Sequence, residues 1–393
     1  MKKVLILGGG FAGLESAIWL RKYGYDVTLI SNREYMYIFP ISIWIPTKGI
    51  KFKDATLDFK KLEKIHGFNF IQDEVLEIQS KQKKVICKNK TYSDYDYLVV
   101  AIGSGKMKAK GKENFLSICG KPEESIKLGE KLDNLIKKGE GKIAFGFGGN
   151  PKDKSAVRGG PAFELMFNVH NKLKKLKIRD KFELIFFAPM PNPGAKMGKD
   201  ALKMMDSWFK RLKITKYVGK KIIEFVDDGI ILEDKTKIET DLTMFIPAGS
   251  GLDLLKTSDL PLSDAGFIEV NDYCEVKYDN NEINNSVFAI GDIVAIEGPD
   301  WKAKQGHLAE VMARNVAYNI REIDNKSDKR RGYIEHVNII CVMDSGDGAA
   351  LIYRNDKYEK MVQAPVVGHW MKQGWGKYFK ASKTDKMFRI PGM

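Results

Sequence analysis

Three glycines near the amino terminus have the spacing of a phosphate-binding loop. Gly8, Gly10 and Gly13 fit the pattern GxGxxG, and glycine lets a backbone turn tightly and approach a pyrophosphate. Where such a loop leads into a helix, free N–H groups and a partial positive charge bind the anion. The pattern therefore predicts a dinucleotide site, provided that a strand precedes the loop and a helix follows it.

The flanking sequence predicts those elements. Val4–Leu7 is a short, continuous apolar run, as in a strand that is buried on both faces of a parallel sheet. Apolar residues at helical spacing follow over 14–20, and Asp26–Ile30 has the pattern of a second strand. Together these segments form a βαβ unit of the size that binds dinucleotides.

Further contacts to a dinucleotide are expected beside this loop. Phe11 and Ala12 lie between its glycines, at the start of the predicted helix. After the second strand, where an acid usually binds the ribose, the chain reads Ser31-Asn32-Arg33. Ser31 can still bond a ribose hydroxyl, and Arg33 can meet a phosphate.

Two later segments resemble parts of flavoproteins that contain two dinucleotide-binding domains. Tyr97–Gly103 resembles their ATG segment, and Val287–Asp292 resembles their GD segment, whose aspartate reaches the ribityl and phosphate region of FAD. The resemblance implies that FAD is the bound cofactor. It implies cofactor contacts from Pro40, Val75, Ala101, Ile102, Gly103, Gly291 and Asp292.

Other segments are similar to the sulfide:quinone oxidoreductase family, which is kin to type II NADH dehydrogenases. They are Tyr37–Pro40, Phe245–Pro247, Gly266–Ile268 and Lys304–Glu310. The resemblance implies that Lys304, Gln305 and Gly306 lie at the cofactor, where a cation would stabilise an anionic reduced flavin. The alternative for Lys304 is an ordinary solvated lysine.

The expected fold class is α/β, with two Rossmann-like dinucleotide-binding domains and a carboxy-terminal membrane-facing region. Residues 1–115 and 280–335 are expected to form a discontinuous FAD-binding domain. Residues 116–279 are expected to form the second Rossmann-like domain, and residues 336–393 the carboxy-terminal region.

The second domain does not repeat the glycine pattern. The strand Lys142–Phe147 is followed by Gly148, but the next glycine of the pattern would fall at position 151, which is proline. The polar segment that follows does not have the pattern of a helix start. This sequence disfavours NADH as the electron donor.

The four cysteines are Cys87, Cys119, Cys274 and Cys341. None belongs to a CxxC pair, which argues against a structural zinc site, and no metal is expected. Two of the four match cysteines of the sulfide:quinone oxidoreductase family. Cys341 matches its carboxy-terminal cysteine and Cys119 matches an outer one, while Cys87 and Cys274 have no assigned role.

In that family a disulfide beside the flavin accepts attack by HS⁻, giving a persulfide and a thiolate that reduces the flavin. The flavin then reduces a quinone. Aligned on Gly160-Pro161, the position of the family's middle cysteine holds Arg158 in this chain. This difference removes one half of the usual disulfide.

Three hypotheses follow. Cys119 replaces the missing partner of Cys341, or Cys341 acts alone with its pKa lowered by Arg158. In the third, the activity has moved to another small reductant or been lost. Glu164 matches a family acid next to the flavin and can transfer protons there; the alternative is an acid favoured by a helix amino terminus.

Residues 365–380 read PVVGHWMKQGWGKYFK. On a helical wheel the apolar side chains fall near one face and lysines flank it: Val367, Trp370, Met371, Trp375, Tyr378 and Phe379, with Lys372, Lys377 and Lys380. This pattern predicts a helix at a membrane interface, or alternatively one packed on the protein body or a partner subunit. Gly374 and Gly376 leave two short helices open. Residues 37–46, with Phe39, Ile43 and Trp44, are expected to add exposed apolar surface and to line a quinone pocket.

The chain has 65 basic and 51 acidic residues, a net charge of +14. No basic stripe on a nucleic-acid-binding fold is visible, so no nucleic acid partner is expected. The apolar run near the amino terminus is interrupted by glycines, unlike a signal peptide, and no run is long enough to span a membrane. We expect a peripheral (monotopic) protein on the cytoplasmic side of an anionic membrane. A homo-oligomer is compatible with the sequence.

The leading functional hypothesis is an FAD-dependent, sulfide:quinone oxidoreductase-like enzyme. It would oxidise sulfide or another small sulfur donor and reduce a membrane quinone. The alternatives are a type II NADH:quinone oxidoreductase and a flavin-binding protein without turnover.

Overall fold

The computed structural model describes residues 1–278 and 283–390. Its strands are β1 (Lys3–Leu7), β2 (Asp26–Ser31), β3 (Tyr35–Tyr37), β4 (Thr56–Asp58), β5 (Asn69–Gln72), β6 (Val75–Gln79), β7 (Lys84–Cys87), β8 (Thr91–Tyr92), β9 (Tyr97–Val100), β10 (Gly105–Lys106), β11 (Gly141–Phe147), β12 (Phe182–Ala188), β13 (Ile214–Val218), β14 (Ile222–Val226), β15 (Gly229–Leu232), β16 (Lys237–Glu239), β17 (Leu242–Ile246), β18 (Gly249–Ser250), β19 (Glu275–Lys277), β20 (Ile283–Ala289), β21 (Ile339–Asp344), β22 (Gly348–Arg354) and β23 (Glu359–Pro365). Its α-helices are α1 (Phe11–Lys22), α2 (Phe39–Ser42), α3 (Phe59–His66), α4 (Glu124–Lys138), α5 (Gly160–Lys175), α6 (Lys199–Arg211), α7 (Gly306–Asp324) and α8 (Val367–Lys383).

The first sheet contains the predicted βαβ unit. Within the described residues its strand order is β19-β20-β9-β1-β2-β5. β1 is parallel to both β2 and β9, and β20 is parallel to β9. Strands β1 and β9 are buried along almost their whole length because helices cover the sheet, and α1 packs against α7.

The second sheet has the order β13-β12-β11-β17, and all of its strand pairs are parallel. Helix α5 packs on β11 and β17, while α6 packs on β13. Two parallel sheets with helical crossovers confirm the predicted α/β class. The membrane-facing character of the carboxy-terminal region stays a prediction.

The expected domain ranges stay a prediction, and the pairing of one strand argues against one of their boundaries. β19, at residues 275–277, pairs with β20 in the first sheet, although the expected range of the second domain includes it. We therefore place the return to the first sheet before residue 275. Residues 279–282 and 391–393, which the expected boundaries include, lie outside the described residues.

The carboxy-terminal region is an antiparallel sheet, β21-β22-β23, followed by α8. Helix α8 is continuous across Gly374 and Gly376, so the alternative of two short helices is wrong. Gly376 lies on the buried side of the helix, where a Cβ would lie 2.9 Å from a methyl carbon of Ile41. Within the described residues, no helix combines the length and apolar character that crossing a bilayer needs.

The helical-wheel assignment of α8 is only partly correct. Val367, Trp370 and Met371 are exposed, as expected, but Phe379 is fully buried. Lys372 was expected to flank the exposed face, and it is buried instead. A helix wheel identifies residues that share a face, but it does not identify which face meets the protein.

The expected apolar surface at residues 37–46 is also largely wrong. Ile43 and Trp44 are buried, and Trp44 Nε1 donates a hydrogen bond of 2.8 Å to the Asp344 carboxylate. Only Phe39 and Pro40 of this segment line the large cavity described below. The carboxy-terminal region covers the rest of the segment, because α8 packs against α2.

Candidate active site

A cavity of about 2250 Å³ opens where strands of both sheets end. Its lining includes the residues that directly follow β1, β9, β11 and β17, and it continues past the end of β20 to Gly291 and Asp292. In open α/β sheets, ligands bind outside the carboxyl ends of the strands. The cavity is large enough for a dinucleotide and a further substrate.

The glycine loop forms one wall of this cavity. Gly8 has a φ of +103°, and a Cβ there would lie 2.3 Å from the carbonyl oxygen of Ala101. A Cβ on Gly13 would lie 1.8 Å from the carbonyl oxygen of Gly8, whereas nothing lies within 4 Å of one on Gly10. Gly8 and Gly13 therefore allow the loop to pack closely against the neighbouring backbone, and Gly10 leaves the start of α1 open to a ligand.

The start of α1 fits an anionic group. No side chain caps its first turn and no acidic residue lies there, so its first N–H groups can bind phosphate oxygens. Ser31 lies beside the loop, because a Cβ on Gly9 would come within 2.8 Å of Ser31 Oγ. These residues fit the dinucleotide portion of FAD.

The structure brings the predicted cofactor residues together. All of them line the cavity except Gly13, which packs beneath the loop. The lining members are Gly8, Gly10, Phe11, Ala12, Ser31, Asn32, Arg33, Pro40, Val75, Ala101, Ile102, Gly103, Gly291, Asp292, Lys304, Gln305 and Gly306. The four predicted catalytic residues, Arg158, Glu164, Cys119 and Cys341, line it as well.

Lys304 is buried and is not a solvated surface lysine. Its Nζ donates a hydrogen bond to the carbonyl oxygen of Val294 and lies 3.6 Å from the centre of the Phe267 ring. Burial lowers the pKa of Lys304 to about 7, against the opposing effect of the Asp153 carboxylate. The Lys304 ammonium is therefore titratable near neutral pH.

Arg158 lines the cavity and forms an ion pair with Asp292. Its charge also acts on Cys119. Burial raises the pKa of the Cys119 thiol, and the positive charges of Lys106 and Arg158 oppose that rise. The hypothesis that Arg158 lowers the pKa of Cys341 finds no support, because the charges that act on Cys341 belong to other residues.

Cys341 lies on β21 beside Glu164. Burial raises the pKa of the Cys341 thiol to about 12; the Glu164 carboxylate raises it further and Lys372 lowers it. Glu164 Oε1 accepts hydrogen bonds from Lys372 Nζ and from the backbone N–H of Asp344, the latter at 2.9 Å. Burial also raises the pKa of Glu164, with Lys372 opposing.

Asp344 joins this group to α8. Its fully buried carboxylate accepts hydrogen bonds from Trp44 Nε1 and Asn168 Nδ2, both at 2.8 Å, and lies 2.6 Å from His369 Nδ1. Burial acts to raise the pKa of Asp344, but these hydrogen bonds, led by that of His369, hold it below its usual value. Asp344 is therefore a fixed anion between Glu164 and His369.

Cys119 and Cys341 are free thiols in this structure. Cys87 and Cys274 do not line the cavity, which agrees with their lack of an assigned role. After β11 the chain passes through Pro151 and a short 3₁₀ turn, Lys154–Ala156, before α5 begins at Gly160. No helix start follows Gly148 directly, as the sequence predicted.

Sequence reasoning missed the functional potential of Lys106, Lys372, Asp344 and His369. Asp344 lies three residues after Cys341, and Lys372 is expected from the sequence only as a charge beside the apolar face of α8. One feature of the sequence could have indicated two of these residues. His369 and Lys372 are polar, lie three positions apart, as on one helix face, and stand next to apolar residues. Their partners, Asp344 and Glu164, lie 25 and 208 positions away, so the pairing could not be read from local sequence.

Comparison with known proteins identifies similar chains. The sequence is 27% identical to a sulfide-quinone reductase of Aquifex aeolicus, over 96% of this chain and 90% of that protein. It is 23% identical to a type II NADH:quinone oxidoreductase of Staphylococcus epidermidis, with 90% of each covered. The solved structure of the Aquifex aeolicus sulfide:quinone oxidoreductase matches with a TM-score of 0.86 and 24% identity, covering 98% of this chain and 92% of that chain.

The resemblance to the sulfide:quinone oxidoreductase family is thereby confirmed. Residues 2–315 also match the family described as pyridine nucleotide-disulphide oxidoreductase. Its members and the relatives above are FAD-binding flavoproteins, so the prediction of FAD is confirmed. The glycine loop, the open start of α1 and a cavity of sufficient size are what such a cofactor requires. The chain therefore belongs to the pyridine nucleotide-disulphide oxidoreductase family.

Proposed function

We propose that this protein oxidises sulfide or another small sulfur donor and reduces a membrane quinone. The observation that carries the proposal is that Cys341 and Glu164 line the same cavity as the cofactor-binding loop. The relatives named for sulfide and quinone support this choice. FAD, when bound, supplies a two-electron acceptor that can pass its electrons to a second substrate.

The reacting sulfur in this proposal is Cys341 Sγ. Because the pKa of Cys341 is raised, its sulfur starts as a thiol. When hydrosulfide is oxidised onto this thiol, an S–S bond forms and the S–H bonds of both partners break, releasing two protons and two electrons. FAD, when bound, would accept the two electrons. Because the pKa of Glu164 is raised by burial, its carboxylate is a suitable acceptor for one of the two protons; the other is released to solvent.

Proton exchange with solvent is assigned to α8. Lys372 bonds Glu164 from the inner face of this helix, and His369, three residues earlier, reaches Asp344. His369 is partly exposed and contacts Gln373 at 3.0 Å on the surface. Quinone reduction consumes two protons, so a partly exposed imidazole beside a buried acid network is well placed to supply them.

The quinone is expected at the edge of the cavity between α2 and α8. Phe39 and Pro40 line it from one side, and Met371 and Trp375 line it from the other. These apolar side chains suit a quinone ring and its hydrocarbon tail. The edge lies next to the exposed part of α8, so a quinone could enter directly from a lipid surface.

The surface around α8 supports peripheral membrane binding. Trp370 is 64% exposed and Phe388 is 74% exposed, values that are unusual for such large apolar side chains. Further exposed apolar residues nearby in sequence are Tyr358, Val362, Val366, Val367, Met371 and Met387. With neighbouring lysines and a chain charge of +14, this surface fits an anionic bilayer interface.

Replacing Trp370 with glutamate should weaken binding to anionic vesicles by about tenfold or more, because an interfacial aromatic is lost and a repelled charge is added. Flotation of the flavin-loaded protein with phosphatidylglycerol-containing vesicles measures this. Leu76→Glu is the matched control, since Leu76 is also exposed (47%) but lies on β6. Equal losses in both variants, or none in Trp370→Glu, would refute the docking surface.

Anaerobic mixing with a candidate donor should identify it. Sodium sulfide is expected to bleach the flavin band near 450 nm, about where oxidised flavins absorb, and NADH is not. NADH is disfavoured because Pro151 and the non-helical segment before α5 replace a phosphate-binding turn. Bleaching by NADH alone would overturn the sulfur proposal.

The second candidate is a type II NADH:quinone oxidoreductase. It is favoured by the similarity to the Staphylococcus epidermidis enzyme over 90% of the chain. If neither sulfide nor NADH bleaches the flavin while dithionite does, a flavin-binding role without this turnover is supported instead.

A further inference from the structure

The loop between β11 and α5 is joined to the first sheet by two ion pairs of opposite polarity. Near the start of the loop, Asp153 lies 3.8 Å from Lys304 Nζ, and near its end Arg158 pairs with Asp292. Lys304 and Asp292 lie between β20 of the first sheet and α7, whereas Asp153 and Arg158 follow β11 of the second sheet. The two pairs therefore connect segments that follow the two different parallel sheets.

Further contacts hold the backbone of this loop in place. Asp153 Oδ1 accepts hydrogen bonds from the backbone N–H and the hydroxyl of Ser155, at 2.8 and 2.6 Å. Lys196 Nζ donates hydrogen bonds to the carbonyl oxygens of Lys154 and Lys302, the latter at 2.9 Å. The loop is thus tied both to itself and to the segments on either side of it.

The chain is also fixed directly beside Arg158. A Cβ on Gly159 would lie 2.6 Å from Phe147 Cζ, so the backbone after Arg158 packs closely against the end of β11. Ala156, two residues before Arg158, is buried. A guanidinium that starts from an anchored backbone can hold its partner in one position.

Asp292 depends on Arg158 for its orientation. Its side chain is 22% exposed and lines the cavity. Arg158 Nη2 pairs with Asp292 Oδ2, and among the residues that the structure describes no other group forms an ion pair or hydrogen bond with this carboxylate. Lys304, a second cation on the same side of the cavity, is engaged by Asp153 and by the Phe267 ring instead.

Asp292 lies beside the open start of α1. A Cβ on Gly291 would lie 3.2 Å from Ala12 Cβ, and Ala12 is the second residue of that helix. The first turn of α1 contains no acidic residue, so Asp292 is an anion that another element brings to a site suited to phosphate. Two negative charges at such a separation repel each other unless a cation compensates one of them. Arg158 supplies that cation.

We propose that Arg158 is a positioning residue for the FAD cofactor and that it acts through Asp292. The guanidinium holds the Asp292 carboxylate in one orientation and compensates its charge beside the start of α1. Because Arg158 contacts Oδ2, the other carboxylate oxygen is left to accept a hydroxyl group of the cofactor. This role goes beyond the proposed function and does not depend on which molecule donates the electrons.

Release of FAD from the flavin-loaded protein tests this role. The holoenzyme is diluted, and the rise in flavin fluorescence gives the rate of release. Arg158→Met should accelerate release about tenfold or more, because a charge-assisted contact that fixes Asp292 is lost. Arg158→Lys, which keeps the charge but not the planar donors, should recover part of the loss. An unchanged rate in Arg158→Met overturns the proposal.

Lys154→Met is the matched control for a lost positive charge. Lys154 is an exposed lysine of the same loop and lines the same cavity, but its side chain forms no ion pair within the described part of the chain. Its replacement should change the rate of release by less than about twofold. An equal acceleration in both variants overturns the proposal, since it would report only the general positive potential of the cavity.

The same measurement in an Asp292→Asn background shows whether Arg158 acts through Asp292. If it does, adding Arg158→Met to Asp292→Asn should accelerate release by less than about twofold, because the interaction is already lost. Equal acceleration in both backgrounds overturns the proposal, since Arg158 would then act on the cofactor without Asp292.

Circular dichroism separates this role from a general structural one. Arg158→Met should keep the far-ultraviolet spectrum of the parent, while the visible signal of the bound flavin changes because Asp292 is no longer held. An unchanged visible signal contradicts the proposal, and Arg158→Gln gives the same comparison if the methionine variant does not fold. None of these measurements uses an electron donor, so a failure of sulfide to bleach the flavin refutes only the proposed function.

Discussion

Replacing Lys383 with methionine should lower the free energy of unfolding by about 3–5 kcal/mol, as expected when one partner of a buried ion pair is removed. Lys383 Nζ bonds Glu15 on α1 at 2.5 Å and also bonds Glu310 on α7. The three side chains are only 3, 7 and 5% exposed. Without Lys383, two carboxylates remain buried together, and the end of α8 loses its link to the cofactor loop's helix.

The loss of unfolding free energy in Lys383→Met should grow with pH. Burial raises the pKa of Glu310 to about 7 from an ordinary value of 4.5, with Lys383 lowering it and Glu15 raising it. Removing Lys383 raises this pKa further. An acid whose pKa is higher in the folded state contributes stability below its unfolded value and loses that contribution as pH rises through its folded value. The variant should therefore be closer to the parent at pH 5 than at pH 8.

Urea unfolding of the flavin-loaded protein at these two pH values measures the effect. Lys377→Met, on the exposed side of the same helix, should change stability by less than about 0.5 kcal/mol. Adding Glu310→Gln to Lys383→Met should recover part of the loss by removing one buried charge. A deficit that does not depend on pH, or that matches the control, would contradict this account of the cluster.

The parts of this fold that the sequence predicted well are those with local patterns. The amino-terminal strand, glycine loop, helix and second strand occur in the expected order. The second strand is Asp26–Ser31, one residue longer than the expected Asp26–Ile30. The absence of a helix start after Gly148 was equally predictable, because Pro151 and a polar run are local signals. Such patterns depend on backbone preferences and periodicity alone.

The errors concern faces and partners that only tertiary structure determines. Lys372 and Phe379 turn inward because α8 packs on α2 and on the sheet of β21 to β23, and Trp44 is buried because Asp344 accepts its N–H. Lys106 lies at the cavity on β10, whose pairing with β18 joins positions more than 140 residues apart. No periodicity in the sequence encodes these contacts.

Arg158 has different neighbours in the structure from those that the sequence suggests. In the sequence, Arg158 stands where the sulfide:quinone oxidoreductase family has a cysteine, and this position suggests a cation beside Cys341. In the structure its charge acts on Cys119, and its guanidinium meets Asp292. The two cysteines therefore have different surroundings: Cys119 lies beside cations, and Cys341 lies beside the Glu164–Lys372 pair.

Replacing Cys341 with serine should slow flavin reduction by sulfide by on the order of a thousandfold or more, the scale typical of losing a reacting group. A serine hydroxyl cannot form the S–S bond that accepts the donor's sulfur. The effect should be specific to the donor, so dithionite should still bleach the variant at the parent's rate. Anaerobic stopped-flow absorbance measures both rates.

The matched variants separate the hypotheses about the second thiol. Cys87→Ser changes a cysteine on β7 that does not line the cavity and should retain the parent's rate. If Cys119 is the redox partner, Cys119→Ser should lose as much as Cys341→Ser; if Cys341 acts alone, it should lose far less. Full retention of sulfide bleaching in Cys341→Ser would remove this thiol from the mechanism, and the electrons would then have to reach the cofactor from the donor without a cysteine on β21.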